Sequence, residues 1–161
     1  MRNIRHAYSG RRNGQTIVEF ALVVPVLLAL LLGILEFGWL MKNHLVVANA
    51  TRDGLRYAAL GHTSTDVRNR IRTEAAILNP DLTDSQMILE YTTDTSSSSP
   101  TYTAWPADTT AATPQNSVPV GALMRITVNC PHHQLTGFFP FLNNRVIQIR
   151  ANMTREAVSS S

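Results

Sequence analysis

Two sets of residues in this 161-residue chain have the types and spacing to do chemistry. Cys130, His132 and His133 place a thiol and two imidazoles within four residues, the groups of a nucleophile–base pair or of part of a metal site. Glu19 is the second candidate, a carboxylate inside the apolar stretch Ile17–Met41, where an acidic residue is costly and so marks function by default. The first set has a plainer reading. A lone cysteine ending the apolar face of a strand is more often a small buried hydrophobe, and adjacent histidines on extended backbone point to different faces. The chain contains no HExxH, GxSxG or phosphate-loop pattern, and its single cysteine excludes an intramolecular disulfide or a several-thiolate zinc site. The expectation is a protein that is not an enzyme and that uses no metal or other cofactor.

The element that must carry Glu19 is a membrane-crossing helix. Sixteen residues between Glu19 and Glu36 are uncharged, and the 25 residues of Ile17–Met41 exceed the roughly 20 that a helix needs to span a bilayer core. Arg2, Arg5, Arg11 and Arg12 precede the run and only Lys42 closely follows it, which directs the N-terminus to the cytoplasm and the remainder outward. At 1.5 Å per residue, a helix entering near Gln15 crosses about 30 Å by residue 35. Glu36 then reaches the outer interface, with Phe20 and Trp39 as membrane-anchoring aromatics. Three other readings of this segment stand beside it: a secretory signal cut near Ala48-Asn49-Ala50, a twin-arginine signal at Arg11-Arg12, and a plain anchor whose Glu19 snorkels to the headgroups. The same distribution explains the formal charge of +3 and pI of about 9.5. Beyond Gly14 ten basic residues meet eleven acidic ones, so no basic face remains for nucleic acid.

The string Arg11-Arg12-Asn13-Gly14-Gln15-Thr16-Ile17-Val18-Glu19-Phe20 resembles the processing site of type IV pilin-like proteins, in which a basic leader ends in glycine and glutamate is fifth after the cut. With VEFALVVP, the following ILEFGWLMKNHLVVANATRDGLRYAALG and the C-terminal Arg150–Glu156, it resembles the TadE-like family, minor pseudopilins of tight-adherence (Flp) pili. The resemblance implies cleavage by a prepilin peptidase between Gly14 and Gln15. It also implies an ordered assembly in which Glu19 of one subunit meets the new amine of Gln15 on its neighbour. Inside a helical bundle each of those charges alone is very costly, while together they compensate. Gln15 stands where major type IV pilins begin with phenylalanine. Pro25, ten residues beyond Gln15, removes a helical hydrogen bond and is expected to kink the helix or end its first segment, as a hinge for assembly or as a tolerated membrane proline.

The expected architecture is α+β. Residues 1–14 form a leader and 15–61 a transmembrane and spine helix, with Val46, Ala50, Tyr57 and Leu60 inward and Gly61 as its stop. Residues 62–161 form the exported domain. Its second helix starts near Thr65–Asp66, buries Val67, Ile71, Ala75 and Leu78, and ends at Asn79-Pro80-Asp81. Alternation over Gln86–Thr92, Gly121–Cys130 and Val146–Thr154 predicts an antiparallel sheet of about three strands. Half of Thr92–Ser117 is serine or threonine, which predicts a long mobile loop, with Tyr102 and Trp105 docked or loosely exposed. Phe138-Phe139-Pro140-Phe141-Leu142 is an apolar connection that must pack or touch membrane.

The functional expectation is a minor pseudopilin in the inner membrane, acting in pilus assembly, adhesion and biofilm formation. Its partners would be the prepilin peptidase, other pilins, the assembly platform and membrane lipid. An uncut single-pass protein with a partner-binding ectodomain is the first alternative; a membrane-tethered hydrolase using Cys130 is the second.

Overall fold

The computed structural model describes residues 11–77, 82–110, 114–140, 143 and 145–157. Helix α1 spans Arg11–Ala59, 49 residues without interruption. It starts four residues before Gln15, so the end of the leader is helical, and it passes through Pro25 instead of ending there. Arg2 and Arg5 lie outside the described residues. From Ile17 to Leu35 most of the large apolar side chains of α1 are exposed, and the stretch is long and apolar enough to cross a membrane. Beyond Glu36 the helix acquires a buried face.

That face is made of small residues. Val47, Ala50, Thr51, Gly54, Leu55, Ala58 and Ala59 are buried, whereas Leu60 is exposed and Val46 and Tyr57 are only partly covered. The expected stripe through Val46, Tyr57 and Leu60 is therefore rotated toward alanines and a glycine. The reason is the close approach of helix α2, Ser64–Glu74: a Cβ on Gly54 would run into the Ile71 side chain. Gly61, at φ +92°, turns the chain between the two helices as anticipated. Helix α2 buries Val67 and Ile71, and Ala75 caps its end; Thr63 opens it by accepting from the Asp66 amide. It stops at Glu74, before Leu78 and Asn79-Pro80-Asp81, which lie outside the described residues.

The sheet is antiparallel and has four strands in the order β2-β1-β3-β4. They are β1 Met87–Thr92, β2 Thr103–Ala104, β3 Leu123–His132 and β4 Arg145–Thr154. Met87, Leu89, Ala122, Met124, Ile126, Val128, Cys130 and Ile147 close the core against α1 and α2, as the alternation predicts. Strand β3 continues past Cys130 through Pro131, opposite Val146, to His132, opposite Arg145.

The additional strand comes from the segment expected to be a mobile loop. Tyr91 pairs with Thr103 and Glu90 with Ala104, and the Trp105 indole N–H donates to the Glu90 carbonyl at 2.8 Å. The Tyr102 ring lies 3.4 Å from the Arg125 guanidinium, which itself grips Glu90 across the strands. Farther on, buried Asn116 donates its side-chain amide to the carbonyls of Ala58 and His62, and its backbone N–H to that of Gly61. Arg155 donates to the carbonyls of Asn116 and Val118, and burial holds its pKa below the ordinary value. A polar segment is held here because its hydrogen bonds satisfy the open carbonyls at the end of α1. The segment 92–117, expected as a long mobile loop, thus contributes a short fourth strand and hydrogen-bonded contacts among its described residues.

Candidate functional site

The chemistry-bearing residues fall at two levels of α1. At its start, Gly14 lies in the first turn of the helix, exposed and with no atom within 4 Å of where a Cβ would stand. Glycine weakens a helix by about 1 kcal/mol relative to alanine, so the backbone here unwinds more readily than its neighbours. One turn on, the Gln15 side-chain amide donates to Glu19 Oε1 at 3.1 Å on an exposed surface. Glu19 keeps its other oxygen free of any hydrogen bond among the described residues. Phe20 is exposed beside it, and Pro25 is also exposed. Among the described residues, no hydrogen bond or ring contact joins the sheet domain to Gly14, Gln15, Glu19, Phe20 or Pro25, and all five are exposed.

The second level was only half legible. Glu36, expected at the outer interface, is enclosed by the protein itself, 0 % exposed. Its Oε1 accepts from the Leu135 amide at 2.9 Å, and its Oε2 accepts from the Thr136 amide at 3.0 Å and the Thr136 hydroxyl at 2.8 Å. His132 Nε2 stands 3.7 Å from Oε1, and His132 Nδ1 lies 3.5 Å from Asn43 Nδ2. The tautomer protonated on Nε2 suits both contacts, with the ring N–H facing Glu36 and Nδ1 accepting from Asn43. Gly137, at φ +72°, lets the chain turn directly after Thr136. Trp39, expected as an interfacial anchor, donates its indole N–H to the His133 carbonyl at 3.2 Å, while the Lys42 ammonium lies 4.4 Å from its ring centre. The connection between β3 and β4 is thus fastened to α1 around Glu36. A signal was present in the sequence: a second acidic residue in the apolar run, and a polar Gln134-Leu135-Thr136-Gly137 turn at the far end of the chain.

Cys130, His132 and His133 are not brought together as a reactive cluster. His132 is buried facing Glu36, His133 is exposed, and Cys130 is buried with its thiol pushed above the ordinary range by burial. A protonated, enclosed thiol is a poor nucleophile. Among the described residues no group of three or more His, Cys, Asp or Glu side chains could hold a metal ion.

A helix long and apolar enough to cross a bilayer, followed by a small α+β domain, fits a single-pass membrane protein. Residues 14–56 match the family described as TadE-like protein, the same family indicated by the Gly14–Glu19 motif. The match begins at Gly14 and ends within α1, so it takes in Glu19, Pro25 and Glu36 and leaves out the sheet. No curated protein and no solved structure matches the chain.

Proposed function

We propose that this chain is a minor pseudopilin of a Tad (Flp) pilus, a structural assembly protein and not an enzyme. In this reading it sits in the bacterial inner membrane with its N-terminus cytoplasmic, and a prepilin peptidase removes residues 1–14. The mature chain joins other pilins and pseudopilins at the assembly platform, and contributes to adhesion and biofilm formation. The observation that carries the reading is the placement of Gly14 and Glu19. They stand one and a half turns apart at the head of a lipid-facing helix, where the family match begins. The glycine lets a peptidase approach the backbone, and the exposed carboxylate is free to exchange its own Gln15 side chain for the Gln15 amine of a neighbour.

Intact-mass analysis of membrane-extracted protein, made beside its cognate peptidase, tests the reading. The wild-type chain should lose fourteen residues and begin at Gln15, and Gly14→Val should retain them. A wild-type chain that keeps its leader under those conditions would favour the uncut anchor.

A further inference from the structure

The turn held by Glu36 has a feature that the assembly reading does not use: its apolar side chains face outward. Leu135 and Phe138 are 52 % and 55 % exposed, and Phe138 meets Phe139 edge-on at 5.1 Å. The Phe139 ring packs at Gly33, where an added Cβ would lie 3.7 Å from it. Gly33 belongs to the apolar run. Measured along the helix it lies about 24 Å from Ile17, inside a hydrocarbon core of about 30 Å. Taking Lys42 as the outer limit leads to the same conclusion, because Gly33 is then about 13 Å below that charge.

An irregular turn at this depth is tolerated only if its polar backbone is satisfied by protein. Here it is. The amides of Leu135 and Thr136 and the Thr136 hydroxyl all donate to Glu36, and the Phe138 amide is directed to the Thr136 hydroxyl. The same bonds compensate the carboxylate, which would otherwise be an unpaired charge at the edge of hydrocarbon. Polar groups turned inward on one helix carboxylate and apolar groups turned outward make a device for entering lipid, not water.

We infer that the β3–β4 turn, Leu135–Phe139, is a second membrane contact, inserting Leu135 and Phe138 among the acyl chains of the leaflet on the domain side with Glu36 as its polar clamp. This rests on the single-pass reading of α1. It would fix the tilt and rotation of the sheet domain relative to the bilayer before the subunit is extracted into any assembly.

Nitroxide spin labels on the full chain in phosphatidylcholine–phosphatidylglycerol vesicles test the inference. Single labels are introduced by Phe138→Cys, Leu30→Cys or Val120→Cys, each with Cys130→Ala. Leu30 is the span control; Val120, 61 % exposed beside the Gly121 turn, is the water control. Collision with oxygen relative to a water-soluble nickel complex should be several-fold higher at 138 than at 120, and close to that at 30. Adding Glu36→Ala should shift position 138 toward the water value while leaving position 30 unchanged. A water-like label at 138 beside a lipid-like label at 30 would overturn the inference and leave the anchor intact. Water-like labels at both would overturn the anchor and the inference together. Spin–spin broadening at 138 that vanishes on dilution with unlabelled chain would assign the patch to a second copy and also overturn it.

Discussion

Glu36 and Thr136, exactly one hundred positions apart in the chain, share two hydrogen bonds: the Thr136 amide and hydroxyl both donate to Glu36 Oε2, at 3.0 and 2.8 Å. This contact joins the apolar part of α1 to the sheet domain, and it converts an acidic residue at the end of an apolar run into a structural tie. It also makes the domain's position a property of the helix, because Glu36 lies in the residues matched by the family while Thr136 does not.

The coupling between those two residues should be measurable. Glu36→Ala leaves two part-buried amide donors without an acceptor, and a fully buried donor so orphaned costs about 1–3 kcal/mol, which bounds the loss per group from above. Thr136→Ala removes the hydroxyl but keeps the amide bond, so it should cost less. A double-mutant cycle on thermal or denaturant unfolding of the detergent-solubilised chain should give a coupling of about 0.5–3 kcal/mol. Additive effects would show that the Thr136 hydroxyl adds nothing to the tie, which would then rest on the two amide bonds.

Glu19 should matter for assembly more than for insertion or cleavage. Glu19→Gln removes a charge from an apolar span, so insertion should become easier, and the proposed scissile Gly14–Gln15 bond lies a helical turn away from it. Breaking a buried ion pair from one side costs about 3–5 kcal/mol, enough to deplete a complex by orders of magnitude. Pilus assembly and cross-linking to other pilins should therefore fall sharply at matched membrane levels. Normal cross-links would return Glu19 to an exposed residue bonded only to its own Gln15.

Cys130 should resist thiol reagents in the folded chain. Burial raises its pKa above the ordinary 9.0, so the folded state holds the proton more tightly than the unfolded state. Its contribution to stability is fully present below the unfolded pKa and is lost as pH rises through the folded one. Maleimide labelling at neutral pH should be slow until denaturant is added. Unfolding followed from pH 8 upward should show an alkaline loss that Cys130→Ala lacks. Fast labelling of the native protein would revive the hydrolase alternative.

The segment 92–117 should prove uneven in its importance. Ser96, Ser97 and Ser99 bond only to Asp94 and to one another on an exposed turn. Removing Ser96–Ser99 should change the melting temperature little, since closure depends weakly on loop length. Asn116→Ala frees the carbonyls of Ala58 and His62 at a helix end and should cost about 1–3 kcal/mol. Equal effects from the two changes would show that the segment is uniform.

Much was legible in the residues alone. The apolar run marks a helix long and apolar enough to cross a membrane, and the Gly14–Glu19 spacing points to the same TadE-like description that residues 14–56 match. Period-two alternation identifies β1, β3 and β4, and it places Ala122, Met124, Ile126, Val128 and Cys130 on one buried face. These are local properties, set by side-chain type and by the fixed periods of helix and strand.

Tertiary structure alone decided the rest. The inward face of α1 follows small residues because α2 comes close at Gly54, and smallness gives no hydrophobic signal. The serine- and threonine-rich segment is held by carbonyls that only the end of α1 leaves open. Glu36 becomes a clamp because the register of β3 delivers His132 and the turn after it to the same level of the helix. Periodicity shows which face of an element is apolar, but a hydrogen bond between residues a hundred positions apart depends on where two elements meet in space.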